Sequence, residues 1–319
     1  DQPRSRGLGD VYKRQIGKIA NGIADDMLTT TIMACKCPKL ISPAMNTNMF
    51  TNPIVQDNLK KLEHYGYEII QPDSGYLACG DTGAGKMPSE QVLLNYILRT
   101  IAKDKDMTGI KLTVTAGPTR EKLDPVRFLS NNSTGKMGYA IAKMAMLRGA
   151  DVTLISGKVS LEPVPFVKMV DIVSAEDMYN AVIKSAKDAD IIIKAAAVAD
   201  YRPSDVSDEK IKKKDGDMSI PLERTKDIIG TLGSNKRDGL FLCGFSMETE
   251  HMLDNSKVKL TKKNLDMIVA NNVKVAGAGF GTDTNVVTVI TKDAVEELPM
   301  MSKEEVADAL LDRIMKARQ

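Results

Sequence analysis

The stretch RFLSNNSTGKMGYAIAKMAMLRGADVTLISG, Arg127 to Gly157, decides the fold. It passes from a polar cluster through Gly135-Lys136 into an apolar-periodic segment and ends in a β-branched run, so it reads as turn, helix and strand. A polar turn at a helix N-terminus gathers backbone N–H groups and the positive end of the dipole, which suits an anion. The match to a phosphate loop is partial. Gly135-Lys136 is followed by Met137, and no glycine stands five residues earlier. The turn's only glycines, Gly135 and Gly138, are too few for a dinucleotide fingerprint. From spacing alone, a Ser/Thr/Asn-rich helix cap is the plainer account.

Outward from this stretch the pattern repeats. IKLTVTAGPT (110–119) precedes it as a strand ending in Gly-Pro, and the helix itself is expected over 138–148. SAEDMYNAVIKSAKD follows as a helix opened by Ser174, and ADIIIKAAAVADY is a buried strand. LFLCGFSMET, LDMIVANN and NVVTVIT supply three more strands. Strands alternating with helices of this length predict a parallel, doubly wound sheet, whose ligands bind beyond the carboxyl ends of the strands. Those ends carry Gly117-Pro118-Thr119, Ala195 to Asp200, and Gly244-Phe245. Two basic groups, KIKKK (210–214) and KVKLTKKNLD (257–266), feed the same predicted crevice. Lys259 and Lys263, four apart, share one helix face and repel unless an anion lies between them, a solvated face being the alternative. A polyphosphate is the natural guest.

The preceding region, Ile16 to about Thr100, is less regular. ANGIADDMLTTTIMAC predicts helix then strand, KLISPAMN and YEIIQP short strands, and NPIVQDNLKKLEHYG a helix. PSEQVLLNYILRTIAK predicts a helix capped at Ser89 with an apolar stripe of Val92, Leu93, Tyr96 and Ile97. KDKDMTG then marks a linker, dividing residues 16–106 from 107–319. Residues 1–15 have no amphipathic period and read as a foreign extension.

The 319 residues, 43% of them apolar, suffice for two domains with buried cores. Lys+Arg 44 against Asp+Glu 42 gives a net charge of +2, which argues against nucleic-acid or membrane partners. No apolar run approaches the ~18 residues of a membrane span, and a cytoplasmic protein is expected. Four cysteines and two histidines form no metal-ligand spacing. Cys35 and Cys37 are expected as reduced thiols on a strand. Cys79 lies in a Gly-rich loop with Lys86, where a cationic neighbour would make a thiol reactive.

AGPTREKLDPVRFLSNNSTGKMGYAIA, AAAVADYRP, EKIKK, GFSMETE and KLTKKNLDMIVANN resemble the phosphopantothenate-cysteine ligase half of the bifunctional bacterial coenzyme A biosynthesis enzymes. SPAMNTNMF and ACGDTGAGKM resemble the other half, phosphopantothenoylcysteine decarboxylase. The resemblance covers nearly everything after Ile16. It implies a partial flavodoxin-like decarboxylase domain followed by a Rossmann-like doubly wound ligase domain. In the ligase reaction so implied, phosphopantothenate attacks the α-phosphate of CTP, pyrophosphate leaves, and the cysteine amine displaces CMP from the acyl-cytidylate.

By the same resemblance Asn131 contacts the acyl-cytidylate and Lys210 is the catalytic lysine. Ala195, Ala196, Ala197, Asp200, Asp227 and Ile228 lie at the nucleotide, with Phe245, Lys259 and Lys263 around its base and phosphates. Mg2+ bridges the phosphates, Asp200 being the carboxylate offered to it. In the decarboxylase half Asn46 holds the substrate carboxylate and Cys79 protonates the product enethiolate. That family's FMN phosphate loop and histidine would both precede Ile16. The expectation is thus an N-terminally truncated half that neither binds flavin nor releases CO2. Homo-oligomers are implied, a ligase dimer and, at full length, a dodecamer. Two rival classes remain: a nicotinamide-dependent reductase, disfavoured by the missing Gly-x-Gly-x-x-Gly, and a non-catalytic flavoprotein-like scaffold.

Overall fold

The structure, a computed structural model, describes residues 14–76, 82–213, 218–247, 252–271, 279 and 281–318. Cys79 and Lys214 fall outside them. The chain divides into two compact units, Asp1–Lys103 and Asp104–Gln319. Among the described residues no helix is long and apolar enough to cross a membrane.

In the first unit, helices Met27–Ala34, Pro53–His64 and Glu90–Ile101 accompany a short parallel pair, Leu40–Ile41 with Glu68–Ile69, and a hairpin, Asp73–Tyr76 with Thr82–Lys86. Its core gathers Ile16, Ile19, Leu59, Leu62 and Ile69. Two expectations fail here. Cys35 ends the Met27–Ala34 helix and Cys37 sits in a bend, so both are free thiols but neither is on a strand. β-Branched residues in TTTIM misled the reading, because the Asp26–Thr29 capping box holds them helical. The 90–101 stripe is not buried either: Val92, Leu93 and Tyr96 are half-covered and Ile97 is exposed.

The second unit is built on eight strands: β1 Lys111–Ala116, β2 Asp151–Ser156, β3 Lys168–Asp171, β4 Ile191–Lys194, β5 Phe241–Met247, β6 Met267–Asn271, β7 Thr284–Ile290 and β8 Val295–Ser302. Five helices join them: α1 Lys136–Leu147, α2 Ala175–Ser185, α3 Ile228–Ser234, α4 Met252–Lys262 and α5 Lys303–Ala317. The sheet order is 8-7-6-5-4-1-2-3. Strands β3-β2-β1-β4-β5-β6 run parallel, while β7 and β8 are antiparallel additions at one edge. The parallel part is the doubly wound arrangement, reversing direction between β1 and β4.

Because both faces are covered, the central strands are buried on both sides and mainly apolar. Ile191 and Ile193 of β4 pack into one cluster and Ile192 into the other, on opposite faces. Helix α1 lies on β1 and β2 and against α5, which explains its run of Ile141, Ala142 and Ala145 without a polar face. Cys243, in the middle of β5, is fully buried; desolvation pushes its thiol well above the ordinary range, so it is a core residue without thiolate chemistry.

Candidate active site at the sheet switch point

The crevice opens where the chain leaves β1 and β4 in opposite directions. Both exits are stitched together. Ala196 N donates to Thr115 Oγ1 at 3.1 Å and Ala199 N to Thr119 Oγ1 at 3.0 Å. Ala197 N donates to Gly117 O at 3.0 Å. Asn131 Nδ2 adds a bond to Ala197 O at 3.1 Å. Asn131 and the Ala195–Ala197 run are thus brought together. Small side chains let the backbone of this run face a ligand directly.

On one side the crevice is lined by Ser133 to Gly138, Ala195 to Ala197, Phe245 and the inner ends of β6 and β7. The helix-cap account is corrected here. The residue capping α1 is Gly135, in the left-handed region at φ 79°, which makes no side-chain cap. A first turn whose N–H groups take no side-chain cap is the arrangement that receives an anion. Across the cleft, Asn285 is fully buried, and its Nδ2 and the buried Oδ1 of half-buried Asn271 have no hydrogen-bond partner among the described residues. A buried donor and acceptor left unpaired each cost ~1–3 kcal/mol, which a polar ligand relieves. Lys303, also buried, donates to Gly279 O at 3.0 Å and to Thr282 O; Lys136 donates to Gly281 O at 3.0 Å and pairs with Asp283 at 2.7 Å. Burial, then repulsion from Lys136, pushes the Lys303 ammonium down.

On the other side the recess holds Lys194, Asp200, Asp227, Ile228 and Lys263, and it continues past Asp227 and Lys263 to Lys259. Lys263 pairs with Asp227 at 2.8 Å. Asp227 also caps α3, its Oδ1 accepting from Gly230 N at 3.0 Å. Burial works against its charge, but the Lys263 hydrogen bond and the Gly230 amide hold its carboxyl below the usual range. The repulsion expected between Lys259 and Lys263 is therefore relieved in part by Asp227. Sequence reasoning missed Lys194. It is a part-buried cation ending the apolar run IIIK; burial, then repulsion from Lys263, pushes its pKa down while Asp227 and Asp200 oppose. A charge closing a fully buried strand was the available signal.

Lys210 is exposed on a strap that follows the Tyr201–Pro203 strand and does not line these recesses. Among the described residues no cluster of three His, Cys, Asp or Glu side chains stands ready for a metal. Asp200 remains the carboxylate facing the recess without a capping role. That suits Mg2+, which is commonly held by one or two carboxylates plus substrate phosphates. In the first unit Asn46 caps the short helix Thr47–Phe50, its Oδ1 accepting from Asn48 N at 2.8 Å. Beside it, Ser42 Oγ and Thr47 Oγ1 are buried hydroxyls without a hydrogen-bond partner among the described residues.

Residues 107–317 match the DNA/pantothenate metabolism flavoprotein C-terminal domain, and residues 14–102 match the Flavoprotein family. The coenzyme A biosynthesis bifunctional protein of Bacillus subtilis is 48% identical over 303 residues, covering 94% of this chain and 74% of that protein. The chain belongs to the family of coenzyme A biosynthesis bifunctional proteins. A cysteine/cysteine sulfinic acid decarboxylase from an unknown prokaryotic organism is 42% identical over 306 residues, covering 94% of this chain and 85% of its own. A crystal structure of the C-terminal domain of a coenzyme A biosynthesis bifunctional protein superposes with a TM-score of 0.58 at 44% identity, covering 67% of this chain and 97% of that one. The switch-point crevice lies within the residues that match the first of these domains, and the Asn46 segment within those that match the second.

Proposed function

We propose that the switch-point crevice joins 4'-phosphopantothenate to cysteine at the expense of CTP, through an acyl-cytidylate. The observation that carries this is the crevice's two-sided chemistry. One side offers an uncapped helix N-terminus and unpaired buried amides, the other a group of lysines around Asp227. An acyl-nucleotide spanning both sides would place the phosphate of phosphopantothenate at α1 and the nucleotide phosphates at Lys194, Lys259 and Lys263, with Ile228 and Phe245 against the remaining apolar surface. Asn131 stands between, at the Ala197 carbonyl, where its amide can turn to the reacting acyl phosphate. A carboxylate is a poor acyl donor, and adenylation-type activation gives it a leaving group. The protein's own share is alignment and charge stabilisation. Lys210, brought over the crevice by its strap, would neutralise charge on the α-phosphate. Mg2+ at Asp200 would neutralise the departing pyrophosphate.

For the first unit we infer the decarboxylation of the ligase product, in place of the expected half without flavin or CO2 release, because residues 14–102 match the Flavoprotein family. FMN, when bound, would take two electrons from the substrate thiol and return them after CO2 has left, so that no net oxidation results. Asn46 would orient the substrate carboxylate, Ser42 and Thr47 would lend their unpaired hydroxyls to the ligand, and Cys79 would return the proton to the product. Self-association through this unit is supported by Leu94, Ile97, Leu98 and Ile101, all exposed on one face of their helix. Free Cys35, Cys37 and Cys243 suit a cytoplasmic setting.

The test is pyrophosphate release from CTP. Release dependent on phosphopantothenate, and phosphopantothenoylcysteine formation on adding cysteine, support the reading; Lys210→Gln should cripple turnover with the fold intact. No release, or equal use of ATP, overturns the ligase assignment or its nucleotide. CO2 from cysteine or cysteine sulfinate rather than phosphopantothenoylcysteine would redirect the decarboxylase half.

A further inference from the structure

Building on that reading of Lys210, we propose that Asp124 is a positioning residue that fastens the Lys210 strap to the hairpin carrying Asn131. Asp124 is 2% exposed. It lies in the turn between the strands Arg120–Lys122 and Phe128–Ser130. Its Oδ1 accepts from Val126 N and Arg127 N, both at 2.8 Å, which closes the turn. Its Oδ2 does something the turn does not need. It accepts from Arg127 Nε at 2.9 Å and Nη2 at 2.6 Å, and from Ile211 N at 3.2 Å, eighty-seven residues away.

The strap is gripped from both sides of Lys210. Arg127 Nη2 donates a second bond to Ile211 O at 2.9 Å, and upstream Ser207 N donates to Leu123 O at 3.1 Å. Ser207 Oγ ties to Glu209 O at 2.7 Å, tightening the loop between these anchors. The Lys210 side chain stays exposed while the backbone beside it is fixed. The same hairpin runs on into Asn131, whose amide meets Ala197 O, and Ser130 Oγ donates to Thr119 O at 2.8 Å. One carboxylate therefore sets the separation between the segment that brings the lysine and the segment that presents the amide. The hydrogen bonds from Arg127, ahead of those from the backbone, hold the Asp124 carboxyl well below the usual carboxylate range, so the fastening persists at working pH.

Alignment is where such a residue acts, because a misplacement of about 1 Å far from the chemistry can cost ~100-fold in rate. Asp124→Asn in the full chain keeps shape but sets an N–H where Arg127 and Ile211 donate. Its kcat for ligation is expected to fall roughly 10- to 100-fold with the CTP KM within about twofold. Protease cleavage within 204–213 should quicken, thermal unfolding should stay cooperative although at a lower temperature, and Asp124→Glu should restore part of the rate. In a Lys210→Gln background Asp124→Asn should cause no further loss. Equal proportional losses in both backgrounds, a loss carried by the CTP KM, or unchanged protease sensitivity each overturn the proposal. If Asp124→Asn misfolds, Arg127→Lys, which breaks the fork but keeps the charge, is read by the same cycle. Full turnover in Lys210→Gln marks a different failure, that of Lys210's role, and is distinguishable because it appears without any change at Asp124.

Discussion

Asn131 and the lysines of the recess divide the work between a directional donor and diffuse charge. Asn131→Asp removes both N–H donors of the side chain and sets a carboxylate against the Ala197 carbonyl at the reacting end of an anionic substrate. We expect a kcat loss of ~100-fold or more, the scale of losing one oxyanion donor, measured by steady-state ligation with unchanged unfolding temperature. Replacing Lys259 and Lys263 together by Ala should instead raise the CTP KM more than the cysteine KM, since phosphate contacts made in the ground state appear there. An unaltered CTP dependence would return those residues to solvent. Lys194 adds a pH signature. Its pKa is lowered in the free protein, and an arriving phosphate would raise it again, so binding takes up a proton. CTP affinity should therefore fall as pH rises, beginning below the ordinary lysine range, and Lys194→Met should abolish that slope in a titration of CTP binding. Asn131 stood out only through the family resemblance, and the lysine pair through its local i, i+4 spacing. Lys194, Asn285 and Asp124 did not stand out, because their meaning depends on what a distant segment places opposite them.

At the level of elements, the βαβ rhythm was readable because each parallel strand is a short apolar run bounded by turn residues. What the rhythm could not supply was the direction of the sheet edge: β7 is as apolar as its parallel neighbours although it pairs antiparallel to β6, and β8, with Glu296 and Glu297 and mostly exposed residues, has no buried-strand pattern to read. The loop between β1 and α1 shows why the phosphate-loop comparison was only partial. Its anion-facing geometry rests on Gly135 at positive φ and on Gly138, where an added Cβ would lie 2.6 Å from Ala116 Cβ and 2.9 Å from Thr115 O. Gly138 thus permits α1 to start close against β1, which a spacing template cannot reveal. Gly138→Ala must push the helix start away from backbone that cannot yield, at roughly 1–3 kcal/mol. Chemical denaturation should show that loss, and phosphopantothenate KM should rise because the helix N-terminus retreats. A variant with normal stability and KM would mean that α1 does not approach so closely.

Across the whole chain, two compact units imply that the ligase should stand alone, provided that the cut respects what the linker contributes. That boundary is sharper than its charged composition suggests. Arg148, at the end of α1 and nearly covered, pairs with Asp106 of the linker and with Asp308 and Asp312 of α5, the last at 2.7 Å. Met107 is wholly buried in the same cluster, and its N–H donates to Arg148 O at 3.0 Å. A fragment beginning at Asp104 keeps these contacts, whereas one beginning at Ile110 loses an ion-pair partner and a core side chain. Loss of the methionine alone should cost about 2–5 kcal/mol, as a large-to-small core change does. The longer fragment should then ligate like the full chain, and the shorter should unfold at distinctly lower denaturant. Acid separates the two contributions. The hydrogen bond from Arg148 holds the Asp106 carboxyl below its ordinary 3.8, so its stabilisation is complete above that pH and fades as pH falls further. The gap between the fragments should accordingly narrow in acid without closing, the remainder being Met107. A gap that vanished entirely at low pH would assign the linker's role to charge alone, and equal stability at neutral pH would place the boundary after Gly109.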